Sequence, residues 1–400
     1  MKSHLALCVC GGALAVAFSA LAQPGPLQGT DSASKDAAVD PATVQGLPSA
    51  RDYHPPEGVA FKTTDFISEN VRLTAQWFWA AENEGRKLPT VIMAHGWGAT
   101  AANYREDAVD LARAGYLVML FDYRGWGDSD GRPMLMGSAA GRSAPGGTFT
   151  GEVRELRGYV DPQEQAEDWL NAISYAVTDP MVDAGRIGVM GSDLSGGHVI
   201  HAAAHEPRVK ALVSLVSRVD TRPSKPYQQD PAKVIADADA AASRLAAGEA
   251  QYPTERTRAT GGLVGAPVGA KVVRWAPVEE AHDVTAPALF VLAEKEELFS
   301  NPSNGQQACE RVQGPRKLVM LPRISHYGVY GAERARAVKA AIDWFDRYLK
   351  APGAPTRAPI NRKEPERGEC NPPPLPPAGE EDKDGSGPGH RAQSTSGRFD

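Results

Sequence analysis

Four hundred residues with 42% hydrophobic side chains can bury a large core, and length alone permits one large domain or two ordinary ones. A formal net charge of −6 with no long basic run argues against nucleic acid or an anionic membrane surface as the main partner. A small-molecule substrate is the expectation that composition leaves.

At the N-terminus, Lys2, the apolar run from Leu5 to Leu21 and the small residues Ala20-Leu21-Ala22 before Gln23 have the three parts of a secretory signal peptide. Residues 1–22 are therefore expected to be removed on export to the periplasm or the exterior, with no stable membrane insertion afterwards. Cys8 and Cys10 lie in this leader, which leaves Cys309 and Cys370 in the mature chain, as a disulfide or as two free thiols. Residues 23–56 are rich in Ala, Ser, Asp, Pro and Gly and predict a flexible lead-in to a domain over 57–350.

Val71, Leu73, Ala75, Trp77 and Trp79 alternate, which predicts antiparallel strands opening a sheet. Leu88 to His95 is an apolar strand running into His95-Gly96-Trp97-Gly98, and Tyr116 to Phe121 is the next, ending in Asp122-Tyr-Arg-Gly-Trp-Gly-Asp128. Asp122, Arg124 and Asp128 read as turn and hydrogen-bonding residues of that loop. Pro133 to Gly158, rich in Gly, Ser and Ala, reads as a loop over the strand ends.

The stretch Arg186-Ile-Gly-Val-Met-Gly-Ser-Asp-Leu-Ser-Gly-Gly-His198 has the shape of a strand, a sharp turn and a helix, the G-x-S-x-G nucleophile elbow, with Asp193 where serine usually stands. Lys210 to Val216 is the strand after it. Residues 220–283 form an insertion in which Ala232 to Ala247 predicts a helix. Pro287 to Ala293 leads into Glu294-Lys-Glu-Glu297, and Lys317 to Leu321 into Ser325-His326-Tyr327-Gly328. Beyond Lys350 the composition turns to proline, glycine and charge, predicting a disordered tail over 351–400.

Nucleophile, then acid, then histidine, each after a strand, is the chain order of one fold. On these motifs the chain resembles the α/β-hydrolase superfamily and, within it, the dienelactone-hydrolase and acyl-peptidase or acyl-esterase branch, over roughly Asp52 to Lys350. The stretches Tyr159 to Ile173 and Val182 to Ile187 are similar to the helix and turn that lead into the elbow strand there, and His326 to Tyr330 to its histidine loop. The resemblance implies an α/β fold with a mostly parallel sheet, a lid over 220–283, no cofactor or metal, and hydrolysis of a small ester or lactone.

The residues carry their own chemistry. His326 is the candidate base and Glu296 the orienting acid, with Glu294 and Glu297 close enough to compete; backbone N–H groups of Trp97 and Leu194 are the candidate oxyanion donors. A carboxylate at Asp193 needs no base to activate it, so His326 would activate water in a second step. Such a nucleophile favours alkyl transfer, as in epoxide hydrolases and haloalkane dehalogenases, for whose electrophilic side Trp275, Tyr227 and Tyr252 are lid candidates. Ser195, and behind it Ser192, is the alternative nucleophile; the plain alternative for Asp193 is a helix cap in a catalytically silent binding protein. His198, His201 and His205 recur on one face of the elbow helix, and packing is the expected role for them rather than metal binding.

Overall fold

A computed structural model of the chain describes residues 47–137, 147–224, 228, 230–250, 258–259, 263–350 and 370. The expected signal peptide, most of the 23–56 segment, Tyr227, Tyr252 and all of the 351–400 tail except Cys370 lie outside these residues. Among the described residues no helix is long and apolar enough to cross a membrane.

Eight strands make the central sheet: β1 (Val59–Ser68), β2 (Val71–Ala80), β3 (Leu88–Ala94), β4 (Leu117–Phe121), β5 (Val182–Ser192), β6 (Val209–Leu215), β7 (Ala288–Ala293) and β8 (Arg316–Leu321). Their order across the sheet is β1-β2-β4-β3-β5-β6-β7-β8. The first two pair antiparallel through Glu69-Asn70, both at positive φ (45° and 68°), which is the two-residue turn whose twist matches a hairpin. β2 pairs antiparallel with β4, and every later pairing is parallel. The alternation read in β2 is only half the truth, since Trp77, Phe78 and Trp79 are all buried in a strand covered on both faces.

Six helices matter to the site: α1 (Arg105–Arg113), α2 (Pro162–Ala176), α3 (Leu194–His205), α4 (Pro231–Ala246), α5 (Gly305–Arg311) and α6 (Arg334–Phe345). On one face Val109, Leu111 and Phe345 of α1 and α6 pack with Val118, Met190 and Val213 of the sheet. On the other, Trp169, Ile173, Val199 and Cys309 of α2, α3 and α5 pack with Val189, Leu212 and Phe290. Helix α2 starts where it does because the Asp161 carboxylate accepts from the N–H of Gln163 (3.1 Å) and Glu164 (3.2 Å), with Pro162 as first helical residue.

Two details differ from the sequence reading, and the open alternative for the two mature cysteines is decided. The end of the expected flexible lead-in packs on the domain: Arg105 donates to Pro48 O (2.7 Å), Ala50 N–H donates to Asp128 (2.6 Å), and the Tyr53 ring meets Phe61 at 5.2 Å. Backbone groups do much of that anchoring, so composition does not betray it. The expected loop over 133–158 contains an antiparallel arm, Arg132–Leu135 against Val153–Leu156. In the expected tail, Cys370 is disulfide-bonded to Cys309 of α5, with Cα atoms 5.9 Å apart. The insertion carries the expected helix as α4, then a short helix Gly269–Val272 and a turn Pro277–Asp283 that returns the chain to β7.

The chain crosses from β3 to β4 on one side and later places β5 on the other. The carboxyl ends of β3 and β5 thus flank a topological switch point, where open α/β sheets bind their ligands.

Candidate active site

At that switch point β5 ends in Asp193, whose backbone sits at φ 52°, ψ −123°, a strained conformation for a residue with a Cβ. Backbone bonds hold it there: its N–H donates to Leu215 O (3.0 Å), and its C=O accepts from the N–H of Gly196 (3.0 Å) and Arg218 (2.9 Å). The neighbouring glycines are sterically required, because a Cβ on Gly191 would lie 2.4 Å from Ser195 O and one on Gly96 would lie 2.9 Å from the Asp193 Cβ.

The Asp193 side chain, nine-tenths buried, accepts at Oδ2 from the Trp97 N–H at 2.8 Å. Although Asp193 occupies the N-cap position of α3, its carboxylate bonds none of that helix's N–H groups, so the side chain does not act as a cap. Of the two expected oxyanion donors, Trp97 therefore meets the carboxylate itself. Leu194 opens α3 next to it and makes no hydrogen bond to that group.

His326 lies in the turn after β8, with Nδ1 2.9 Å from Glu296 Oε2 and 3.1 Å from Oε1. The competing glutamates have other partners: Glu297 accepts from the His326 backbone N–H (2.8 Å) and Glu294 from the Arg323 N–H (2.6 Å). Backbone bonds from Glu294 N–H to Leu321 O and from Lys295 N–H to Ile324 O join the two loops. With Nδ1 facing Glu296, Nε2 is the ring nitrogen left to act. Burial works to lower the His326 pKa, but the hydrogen bond and charge of Glu296, with Asp193 and Glu297 behind it, hold it above the ordinary histidine value.

The serines face elsewhere. Ser195 Oγ is 2.9 Å from the Tyr123 hydroxyl and Ser192 Oγ is 2.7 Å from the Tyr104 hydroxyl, and neither is bonded to His326. His198 is locked between Tyr123 (3.0 Å) and Pro162 O (3.1 Å), and burial depresses its pKa to about 3. Asp122 accepts from Ala101 N–H (2.7 Å), and Arg124 lies on Asp168 (2.6 Å), as turn and packing residues do. Trp275 packs at a tilt beside His198 and His201, with ring centroids at 5.3 and 5.6 Å.

Sequence reasoning missed two neighbours. Arg218, just beyond β6, is a guanidinium whose pKa burial lowers while the charges of Asp193, Asp220 and Glu296 act to raise it. It lies 5.9 Å from the Trp97 ring, and both Arg218 Nε and Trp97 Nε1 are buried donors with no partner among the described residues. Tyr327 stands beside His326 (centroids 5.2 Å), its phenol pushed up to about 12 by burial and by the charge of Asp193. The only sequence signal for either was position: each follows a strand that ends at the site.

A family model described as X-Pro dipeptidyl-peptidase (S15 family) matches residues 69–260, a span that holds Asp193 but stops short of Glu296 and His326. An uncharacterized 31.7 kDa protein of Escherichia coli is 25% identical over 314 residues, covering 72% of this chain and all of that protein. Thiohydrolase aneE of Aspergillus aculeatus is 28% identical over 199 residues, 49% of this chain and 53% of its own length. Among solved structures, the α/β-hydrolase GrgF of Penicillium sp. sh18 superposes with a TM-score of 0.57 at 18% identity, over 73% of this chain and 100% of that one, a likeness of fold.

Proposed function

We propose that this chain, a member of the α/β-hydrolase superfamily and a hydrolase, works through Asp193 as nucleophile, His326 as base and Glu296 as the acid that orients it, on a small organic substrate outside the cytoplasm. The observation that carries this reading is the bond from Trp97 N–H to Asp193 Oδ2. It leaves Oδ1 as the attacking oxygen and engages the donor that an ester carbonyl would otherwise need.

The geometry therefore favours a saturated carbon bearing an oxygen or halide leaving group. In the first step Oδ1 forms a bond to that carbon and the electron pair of the broken bond departs with the leaving group. An alkoxide generated by ring opening takes its proton from the Tyr327 phenol; a halide is met by the unpartnered N–H groups of Arg218 and Trp97. In the second step His326 Nε2 takes a proton from water, and the hydroxide adds to the Asp193 carbonyl carbon. Trp97 N–H stabilises the oxyanion so formed, a contribution of about 10²–10³ in rate for such a donor. Collapse releases the substrate alcohol, protonated by His326. The proton left on the Asp193 carboxyl returns to the Tyr327 phenolate or, after halide loss, passes to water, which restores the carboxylate.

A second reading, hydrolysis of an ester, lactone or thioester, is favoured by the name of the thiohydrolase relative. It requires a mixed anhydride at Asp193, a less favourable intermediate. Intact-mass analysis of His326→Gln exposed to epoxides, alkyl halides, esters and lactones separates the two, because blocking the water step traps the adduct. An alkyl adduct on Asp193 supports the first reading and an acyl adduct the second. An adduct on Ser195 overturns both, and a folded variant that takes up no member of the panel favours a silent binding protein.

A further inference from the structure

The histidines of α3 acquire a partner that sequence spacing does not show. His201 and His205 are one helical turn apart, the i, i+4 spacing that puts two imidazoles on one face. The turn Pro277–Asp283, which returns the lid insertion to β7, brings Glu280 against them. His201 Nδ1 is 2.7 Å and His205 Nε2 3.5 Å from Glu280 Oε2, the two rings are 4.4 Å apart, and the three ligand atoms lie within 4.8 Å of one another. We propose that His201, His205 and Glu280 form a binding site for a divalent transition-metal ion of the zinc type, separate from Asp193 and His326.

The distances suit such an ion. Ligands about 2.0–2.1 Å from a tetrahedral metal stand about 3.3 Å from one another, a value the two observed separations from Glu280 bracket. Two imidazoles and one carboxylate are a donor set for zinc rather than for magnesium or calcium, which take oxygen. The proton that His201 Nδ1 shares with Glu280 moves to Nε2 in the neutral ring when the metal takes its place. His198, the third histidine of the run, is excluded because both its nitrogens are engaged by Tyr123 and Pro162.

A cleft of about 560 Å³, lined by His201, Glu280 and the Trp275 indole among others, opens beside the triad. It gives the fourth coordination position to water or an outside ligand. The arginines on its wall, Arg222 and Arg274, are neutralised by Asp220, Glu279 and Asp239. The metal would tie the exit of the lid insertion to the helix that follows Asp193.

The test uses the purified full chain without a histidine tag, stripped with chelator and titrated with Co²⁺ followed by visible absorption, then with Zn²⁺ by calorimetry. One equivalent of Co²⁺ with the intense bands of a four-coordinate site is expected, together with a zinc-dependent rise in Tm and no binding of Mg²⁺. His205→Ala, whose side chain is half-exposed, and Glu280→Gln should each weaken binding at least tenfold, with metal-free melting unchanged for His205→Ala. His326→Gln should leave binding intact. No four-coordinate cobalt spectrum, binding that survives both variants undiminished, or binding lost in His326→Gln overturns the proposal.

Discussion

Two buried aspartates, one on α2 and one at the start of α3, are treated in opposite ways. Asp168 of α2 accepts from Ser68 Oγ (2.6 Å) and from Arg124 through its backbone N–H (3.2 Å), Nε (3.0 Å) and Nη2 (2.6 Å). Among the described residues Asp193 has one donor, a backbone N–H, and it sits on a backbone whose φ is positive. A carboxylate saturated by a paired guanidinium is a fastening. One held by a single oxygen on a strained turn is aimed, and its other oxygen is left for chemistry.

Substitution can break that contrast. Asp193→Asn should cost at least about 10³-fold in turnover, roughly 4 kcal/mol of barrier, with Tm unchanged or slightly higher, because asparagine tolerates the turn and no cap is lost. A steady-state assay paired with a melt checks both halves; a large fall in Tm would make Asp193 a fastening too. Asp168→Ala should do the reverse. It leaves the buried Arg124 with Glu164, 3.8 Å away, in place of its close hydrogen-bonded counter-charge and costs about 3 kcal/mol of stability by urea unfolding.

Smaller effects sharpen the comparison. Glu296→Gln should lower kcat about 10–100-fold and move the acid limb of its pH profile. In the native protein the water step is lost as pH falls through a His326 pKa held above about 6.5, so without Glu296 that loss should shift to lower pH. An unmoved limb would mean that Glu296 does not govern the base. Gly96→Ala should cost about tenfold in kcat and about 1–3 kcal/mol of stability, as the new Cβ displaces the Asp193 side chain.

The strands and the order of Asp193, Glu296 and His326 were legible in the sequence because parallel strands buried on both faces read as apolar runs, and each run ended in a short motif. Glu296 was read as the acid from its place after the strand, but what excludes Glu294 and Glu297 was not legible, since the backbone bonds joining two loops about thirty residues apart decide which carboxylate meets the imidazole. Arg218 and Tyr327 escaped for the same reason: an arginine and a tyrosine in loops carry no signal until two strand ends converge. Glu280 was invisible beside His201 because it arrives from across the whole lid insertion.

The Cys309 to Cys370 bond closes a covalent ring across a sequence separation of 61, and that ring contains β8, His326 and α6. In the chain-entropy view a ring of this size removes about 4 kcal/mol of freedom from the unfolded chain. Its topological meaning is different. A protease that cuts once inside the ring linearises it without separating the pieces, so the histidine segment stays tethered to the rest of the enzyme. Only a reductant and a cut together would release two fragments on a gel, which makes survival of nicked activity a direct report of the thiol state in which the protein works.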